Sequence, residues 1–425
     1  MNNQNDISVP IYKSKWVAVT LIIILGLRIT SYFTLFPSSV AITQVVKVLL
    51  RLSLTGISFL WLFKLKQTYK DFEVRYQNVL PLLLYVAYLT LGVLSLFWTS
   101  DVRFSMLQLF MIIEAMVFAW FFYPLLVFYN RLNNDHVPFS YIFAYATFWI
   151  CLAFMIGLYI DPETYYRQTH GGEVSRLGGF IINPNELGML AVLGAVAVYI
   201  ELLRRKIDTM LVLIYIASVA VLLLTQSRSS LGAFLLVTGI TVLLSGNIKL
   251  IVSSIIGGVL AMPVLIREIV VKQGDLEEVM SMTGRLPFWT DLIHDGFIHR
   301  PLLGYGFMRI AKHEKFDSIH AYAASMTHNT FIQVLINLGL LGAFIVLFQM
   351  ISMGVTISKH DNNYLRRLAA YMLVPLIINS LTEFGIFGES NYGVQFYQLL
   401  ILFFVITVER KEAVPSIKDF KIQMK

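Results

Sequence analysis

Twelve apolar stretches separated by short polar segments dominate the pattern of residues along the chain. The first runs from Trp16 to about Phe36, and the others lie near 41–64, 79–98, 104–129, 138–160, 184–203, 207–225, 229–246, 248–266, 328–353, 366–383 and 392–408. A helix needs about 20 predominantly apolar residues to cross a bilayer. The pattern therefore predicts an all-α polytopic membrane protein of about twelve transmembrane helices, forming one integral membrane domain over 1–425. Lys13 and Lys15 precede the first stretch, which is long and lacks a following small-residue cleavage site, so it reads as a retained helix rather than a signal peptide.

The segment 267–327 interrupts the pattern. It is rich in charge and turn formers, and together with the helix start after it holds His294, His299, His313, His320 and His328 of the eight histidines. Within it Leu286, Phe288, Trp289, Leu292, Ile293, Gly296 and Phe297 recur at helix-like spacing, with Pro287 suited to a first turn. That predicts an amphipathic helix at the membrane interface, broken afterwards by Pro301, Gly304 and Gly306. No fixed-period repeat is visible.

Composition agrees, with 57% hydrophobic and only 14% charged residues, and a mean hydropathy of +0.70. These values exclude an ordinary soluble enzyme. The net charge of +7 would suit nucleic acid, but its distribution points elsewhere. Lys64, Lys66, Lys70, Arg75, Arg204, Arg205, Lys206, Lys359, Arg366, Arg367 and the basic tail fall on alternate connections, and only Arg103, Arg167, Arg176 and Arg228 on the short ones between. This is the positive-inside pattern, so both termini are expected in the cytoplasm, 267–327 outside, and no nucleic-acid partner. The single cysteine, Cys151, can form no intrachain disulfide.

Arginines on the outer face call for a reason. Arg228, in Gln226-Ser227-Arg228-Ser229-Ser230, either snorkels at a helix end or joins the helix N-terminus in an anion clamp. Arg285, in Thr283-Gly284-Arg285, is either a surface arginine or a bidentate grip for a diphosphate. His328 and Asn329 open a helix, where the dipole keeps a neutral imidazole available as a base; the alternative is an interfacial cap. Arg176 and Asn185 flank a Gly-Phe and Asn-Pro turn that can line an outer cavity. Lys47 and Arg51 share one face of the second helix, at a depth matched by Arg28 and Glu114, as a structural ion cluster or a head-group site. Glu383 and Glu389 bracket the last outer turn, to orient a sugar or an arginine or simply to be solvated. No HExxH or close His/Cys pairing suggests a metal.

In order along the chain, Ser227-Arg228-Ser229-Ser230-Leu231-Gly232, then Thr283-Gly284-Arg285 with Trp289, then Pro301-Leu302-Leu303-Gly304-Tyr305-Gly306, then His328-Asn329-Thr330-Phe331 leading to Gly339-Leu340-Leu341-Gly342, resemble the O-antigen ligase and Wzy-type polymerase family of bacterial membrane glycosyltransferases. The stretch from Arg176 to Asn185 is similar to that family's pattern ahead of its core region. The resemblance implies a GT-C-like enzyme with no cofactor or metal, an undecaprenyl-diphosphate-linked glycan as donor, and a glycan or lipid acceptor. Carried over motif by motif, it makes His328, Arg228 and Arg285 the catalytic residues and Arg176 a further functional position; with Asn185, Asn329, Lys47 and Arg51, singled out above from their own placement, Arg176 is a substrate-binding candidate. A chain-length regulator and a flippase are the expected partners, and the bacterial cytoplasmic membrane the expected location.

The shared motifs serve the donor, so they leave polymerase and ligase open. The short tail after the last apolar stretch leans away from a protein acceptor, and the abundance of Ile, Lys, Asn, Tyr and Phe leans toward a capsule or exopolysaccharide polymerase. The competing class is a lipid-linked polysaccharide transporter. Transporters gather charges and broken helices at midplane, often in related halves, whereas here the distinctive polar residues crowd one face.

Overall fold

A computed structural model of the chain describes residues 11–133, 137–169, 174–202, 208–266, 284–307, 326–383 and 385–410. The longer helices among them are α1 (Ile11–Thr30), α2 (Val40–Thr68), α3 (Leu80–Leu94), α4 (Val102–Asn133), α5 (Phe139–Ile160), α6 (Pro184–Leu202) and α7 (Thr209–Thr225). They continue with α8 (Arg228–Leu244), α9 (Ile248–Leu265), α10 (Arg285–Asp295), α11 (Thr330–Lys359), α12 (Asn363–Thr382) and α13 (Tyr392–Val405). Every apolar stretch thus carries a helix, and six of them, α2 to α6 and α11, are long and apolar enough to cross a membrane. This is an all-α polytopic membrane protein.

The layering follows from which helices are apolar all round. α6 is buried along most of its length and α13 along all of it, so these two form the interior. α5, α7, α8 and α12 pack on α6, and α4 packs on α13. The remaining faces leave Leu60, Val259, Leu260 and Phe348 exposed. Such faces suit hydrocarbon as solvent, since hydrocarbon costs apolar side chains nothing.

Two small antiparallel sheets add to the expected helices. β1 (Phe72–Tyr76) pairs with β4 (Ile406–Arg410), and β2 (Tyr166–Thr169) pairs with β3 (Val174–Leu177). The last apolar stretch was expected to run to 408 as helix; instead α13 stops at Val405. Beyond it Ile406, Thr407, Val408 and Glu409 alternate in polarity with period two, which places Ile406 and Val408 inside and lets the backbone pair with β1. The strand ladder satisfies amides that would otherwise lack partners beyond the helix end.

The amphipathic helix expected near 286–297 is α10, with Phe288 and Leu292 buried against Tyr305 and Ile336. Of the loop expected over 267–327, Thr283, His313 and His320 lie outside the described residues. The segment 301–306 docks into a break in α11. Gly339 has φ 63° and ψ −161° inside that helix. The Tyr305 and Gly306 N–H groups donate to the Ile336 and Asn337 carbonyls, at 3.1 and 2.8 Å, while Leu340 and Leu341 N–H donate to Pro301 and Leu302. An interrupted helix at membrane depth is tolerated when its freed polar groups find such partners. A Cβ on Gly304 would lie 2.4 Å from the Ile336 carbonyl oxygen, and one on Gly339 2.4 Å from the Leu302 backbone, so both positions require glycine.

Candidate functional site

The N-termini of α6, α8, α10 and α11 meet the C-termini of α7 and α12 at the end of the bundle opposite the β1–β4 sheet. Cross-contacts define the meeting point: Ser230 Oγ donates to the Asn185 carbonyl at 3.2 Å, Asn329 Nδ2 to the Leu381 carbonyl at 3.2 Å, and Arg285 to the Thr382 carbonyl. Four helix N-termini, each bringing the positive end of its dipole, favour an anion there before any side chain is counted.

Each polar residue is positioned by its local sequence. His328 sits at φ 52°, a left-handed conformation that side chains rarely adopt. Its neighbours hold it there. Asn329 caps α11, its Oδ1 accepting from Phe331 and Ile332 N–H at 2.9 and 3.1 Å, and Thr327 Oγ1 exchanges hydrogen bonds with the Asn329 backbone. The Trp289 indole donates to the Thr327 carbonyl at 2.7 Å, tying α10 to the same turn. Arg285 is the first residue of α10, after Gly284 at φ 78°. Ser227 caps α8 and brings Arg228 to the same end of the bundle. The β2–β3 hairpin turns Arg176 inward, where its Nε donates to the Thr225 carbonyl at 2.9 Å.

One carboxylate joins these groups. Glu383, 2% exposed, follows α12. Its Oε2 lies 2.9 Å from His328 Nδ1. Its Oε1 accepts from Arg285 Nη2 at 2.6 Å and from Asn185 Nδ2 at 2.6 Å, while Asn185 Oδ1 in turn accepts from Arg176. Arg176, Asn185, Arg285 and His328 are therefore one network, and Arg228 is near enough to act on the charge of Arg176. Solvation does not account for Glu383. A hint of its role was present in the sequence as an acid directly after an apolar stretch, on a face otherwise populated by arginines.

The electrostatics follow from burial and pairing. Burial alone would raise the Glu383 carboxyl, but the hydrogen bond from His328 and the charges of Arg285 and His328 outweigh it and hold the group at about 2. Burial lowers Arg176 to about 10, with Arg228, Arg167 and Arg285 pushing the same way against Glu383, so it remains a cation at neutral pH. Arg285 thus meets this carboxylate directly and Arg176 through Asn185, with the charge of Arg228 nearby. The carboxylate at Nδ1 orients the ring, and in a neutral imidazole it favours the proton on that nitrogen and the lone pair on Nε2. Asn329 is engaged as a helix cap and a ligand of the Leu381 carbonyl. Among the described residues no group of three or more His, Cys, Asp or Glu side chains is arranged to hold a metal ion.

Lys47 and Arg51 belong to a second, adjoining cluster. Arg28, fully buried, grips Glu114 with both terminal nitrogens at 2.7 and 2.6 Å. Arg51 Nε reaches the same carboxylate at 3.1 Å, and its other nitrogens donate to Tyr32, Ser390 and the Met111 carbonyl. Arg51 and Lys47 line a polar cavity of about 180 Å³ with Glu186 and Glu389. Glu389 also lines the narrow pocket at His328 and Glu383, so the two share a wall.

The O-antigen ligase family model matches residues 211–347. All the ordered motifs from Ser227 to Gly342 fall inside that stretch, including Arg228, Arg285 and His328, so the family expected from them is the family matched. Arg176, Asn185, Glu383 and the Lys47 cavity lie outside it. A comparison with curated proteins finds no match.

Proposed function

We propose that the protein is a membrane glycosyltransferase that moves a glycan from undecaprenyl diphosphate to the nonreducing end of another lipid-linked repeat unit, as a polysaccharide polymerase. The observation that carries this reading is Glu383, which ties a histidine and two arginines into one buried cluster inside a ring of helix N-termini. In the reaction, the acceptor hydroxyl gives its proton to His328 Nε2 as its oxygen attacks the anomeric carbon. The bond from that carbon to the diphosphate oxygen breaks, with inversion. The charge that develops on the leaving diphosphate is met by Arg285 and Arg176, fixed in advance by their partners, and by Arg228.

Ligation to a lipid or wall acceptor uses the same donor chemistry, and the match to an O-antigen ligase family model favours it equally. Either way the site would open on the extracytoplasmic side of the bacterial cytoplasmic membrane, with both termini inside, a flippase supplying donor and a chain-length regulator acting beside it. Glycan analysis of a deletion strain complemented with wild type, Arg228→Ala, Arg285→Ala or His328→Ala tests the reading, with membrane expression of each checked. Loss of long polymer with accumulation of single lipid-linked repeats is the expected result. Long lipid-linked polymer left unattached would assign a ligase, and unchanged glycans in all three variants would refute the site.

A further inference from the structure

The polar cavity beside His328 has a wall chemistry unlike that of the arginine cluster. Gln44, Lys47, Gln108, Glu186, Glu389 and Asn391 present both donors and acceptors around it. The cations lining and backing it, Lys47, Arg51 and Arg28, are equal in number to the carboxylates Glu114, Glu186 and Glu389, so their formal charges cancel. The arginine cluster, by contrast, sets three cations against Glu383 alone. A diphosphate belongs in the second environment, and an uncharged ligand with many hydroxyls in the first.

We propose that this cavity is the acceptor subsite, and that it takes an uncharged, hydroxyl-rich sugar ring whose free hydroxyl is delivered to His328. The assignment rests on the reading of His328 as the base. Glu389 forms part of both pockets, so a ring in the cavity adjoins the pocket that holds the imidazole. Its wall is preorganised, because Arg51 is locked by Glu114, Tyr32, Ser390 and the Met111 carbonyl, and little ordering remains when a ligand arrives. None of the cavity's lining residues falls within 211–347, so acceptor preference can change without touching Arg228, Arg285 or His328.

Saturation-transfer NMR on the full chain in lipid nanodiscs tests this with methyl glucoside, methyl N-acetylglucosaminide and methyl glucuronide as probes. The neutral glycosides should bind, about tenfold more weakly in Gln108→Ala, which loses a hydrogen-bonding group, and also in the rim variant Gln44→Ala. Binding should persist in Arg285→Ala. Three results would overturn the proposal: binding of the glucuronide alone, binding lost in Arg285→Ala but intact in both glutamine variants, or no binding of any probe. The measurement needs no turnover, so it stands or falls separately from the glycan analysis above.

Discussion

Glu383 and His328 are 55 residues apart in sequence, yet the carboxylate orients the imidazole through a 2.9 Å hydrogen bond at Nδ1. Glu383 is a positioning residue in the proposed transfer. Glu383→Gln keeps the shape but offers an amide where the imidazole needs an acceptor, and it removes the charge opposite Arg285. Turnover should fall about 100-fold or more, with a smaller change in donor KM, and Arg285→Lys should not restore the paired geometry. The pair also has a signature in acid. Because the folded carboxyl sits near 2 rather than the ordinary 4.5, its ionised form stabilises the native state. That contribution is complete above about 4.5 and is lost as the pH falls toward 2. Melting temperatures across this window should therefore drop more steeply for wild type than for Glu383→Gln; parallel curves would count against the pairing. His328, Arg285, Arg176 and Asn185 were legible in the sequence because each abuts a helix start or a glycine turn. For Glu383 an arginine partner was one reading beside a sugar or solvent, but not which arginine, since Arg285 and Asn185 lie 98 and 198 residues away and only the fold brings them to it.

At the scale of elements, the site depends on how α10 is pinned. Phe288 and Leu292 bury against Tyr305 and Ile336, the 301–306 segment threads the break in α11, and the Trp289 indole closes the arrangement at Thr327. Gly339→Ala places a methyl group against the Leu302 backbone and forces a side-chain residue to hold φ 63°. A side chain at φ 63°, ψ −161°, a region essentially confined to glycine, alone costs about 1–3 kcal/mol. The variant should melt lower and lose transfer activity together, because displacing 301–306 also moves α10 and Arg285. Trp289→Phe is the milder probe. It keeps the packing and removes a hydrogen bond worth about 1 kcal/mol, so it should reduce activity more than melting temperature. The helices were readable from apolar length, and α10 from its period. The break in α11 was not, because Gly-Leu-Leu-Gly reads as helix until a second segment supplies partners for its opened backbone. The same holds for β4, whose two apolar residues look like the end of a transmembrane stretch until β1 is beside them.

For the whole molecule, the pairing of β1 with β4 places the end of α2 and the end of α13 on one face. Tyr392, at the other end of α13, donates to the Glu186 carbonyl at the site. Site and sheet therefore mark opposite ends of the bundle, a relation that uneven lysine and arginine loops foretell only statistically. It makes orientation testable in one experiment. The buried Cys151 is the single cysteine, so Cys151→Ser gives a background in which Glu409→Cys, on the exposed side of β4, and Phe180→Cys, exposed beside the hairpin, report opposite faces. With a membrane-impermeant maleimide, Phe180→Cys should label in cells whose cytoplasmic membrane is intact, and Glu409→Cys only after that membrane is opened. The reverse pattern would put the site in the cytoplasm. A glycan already carried across the membrane by a flippase would then be out of reach, and the polymerase and ligase readings would fall together, while the geometry around Glu383 would stand.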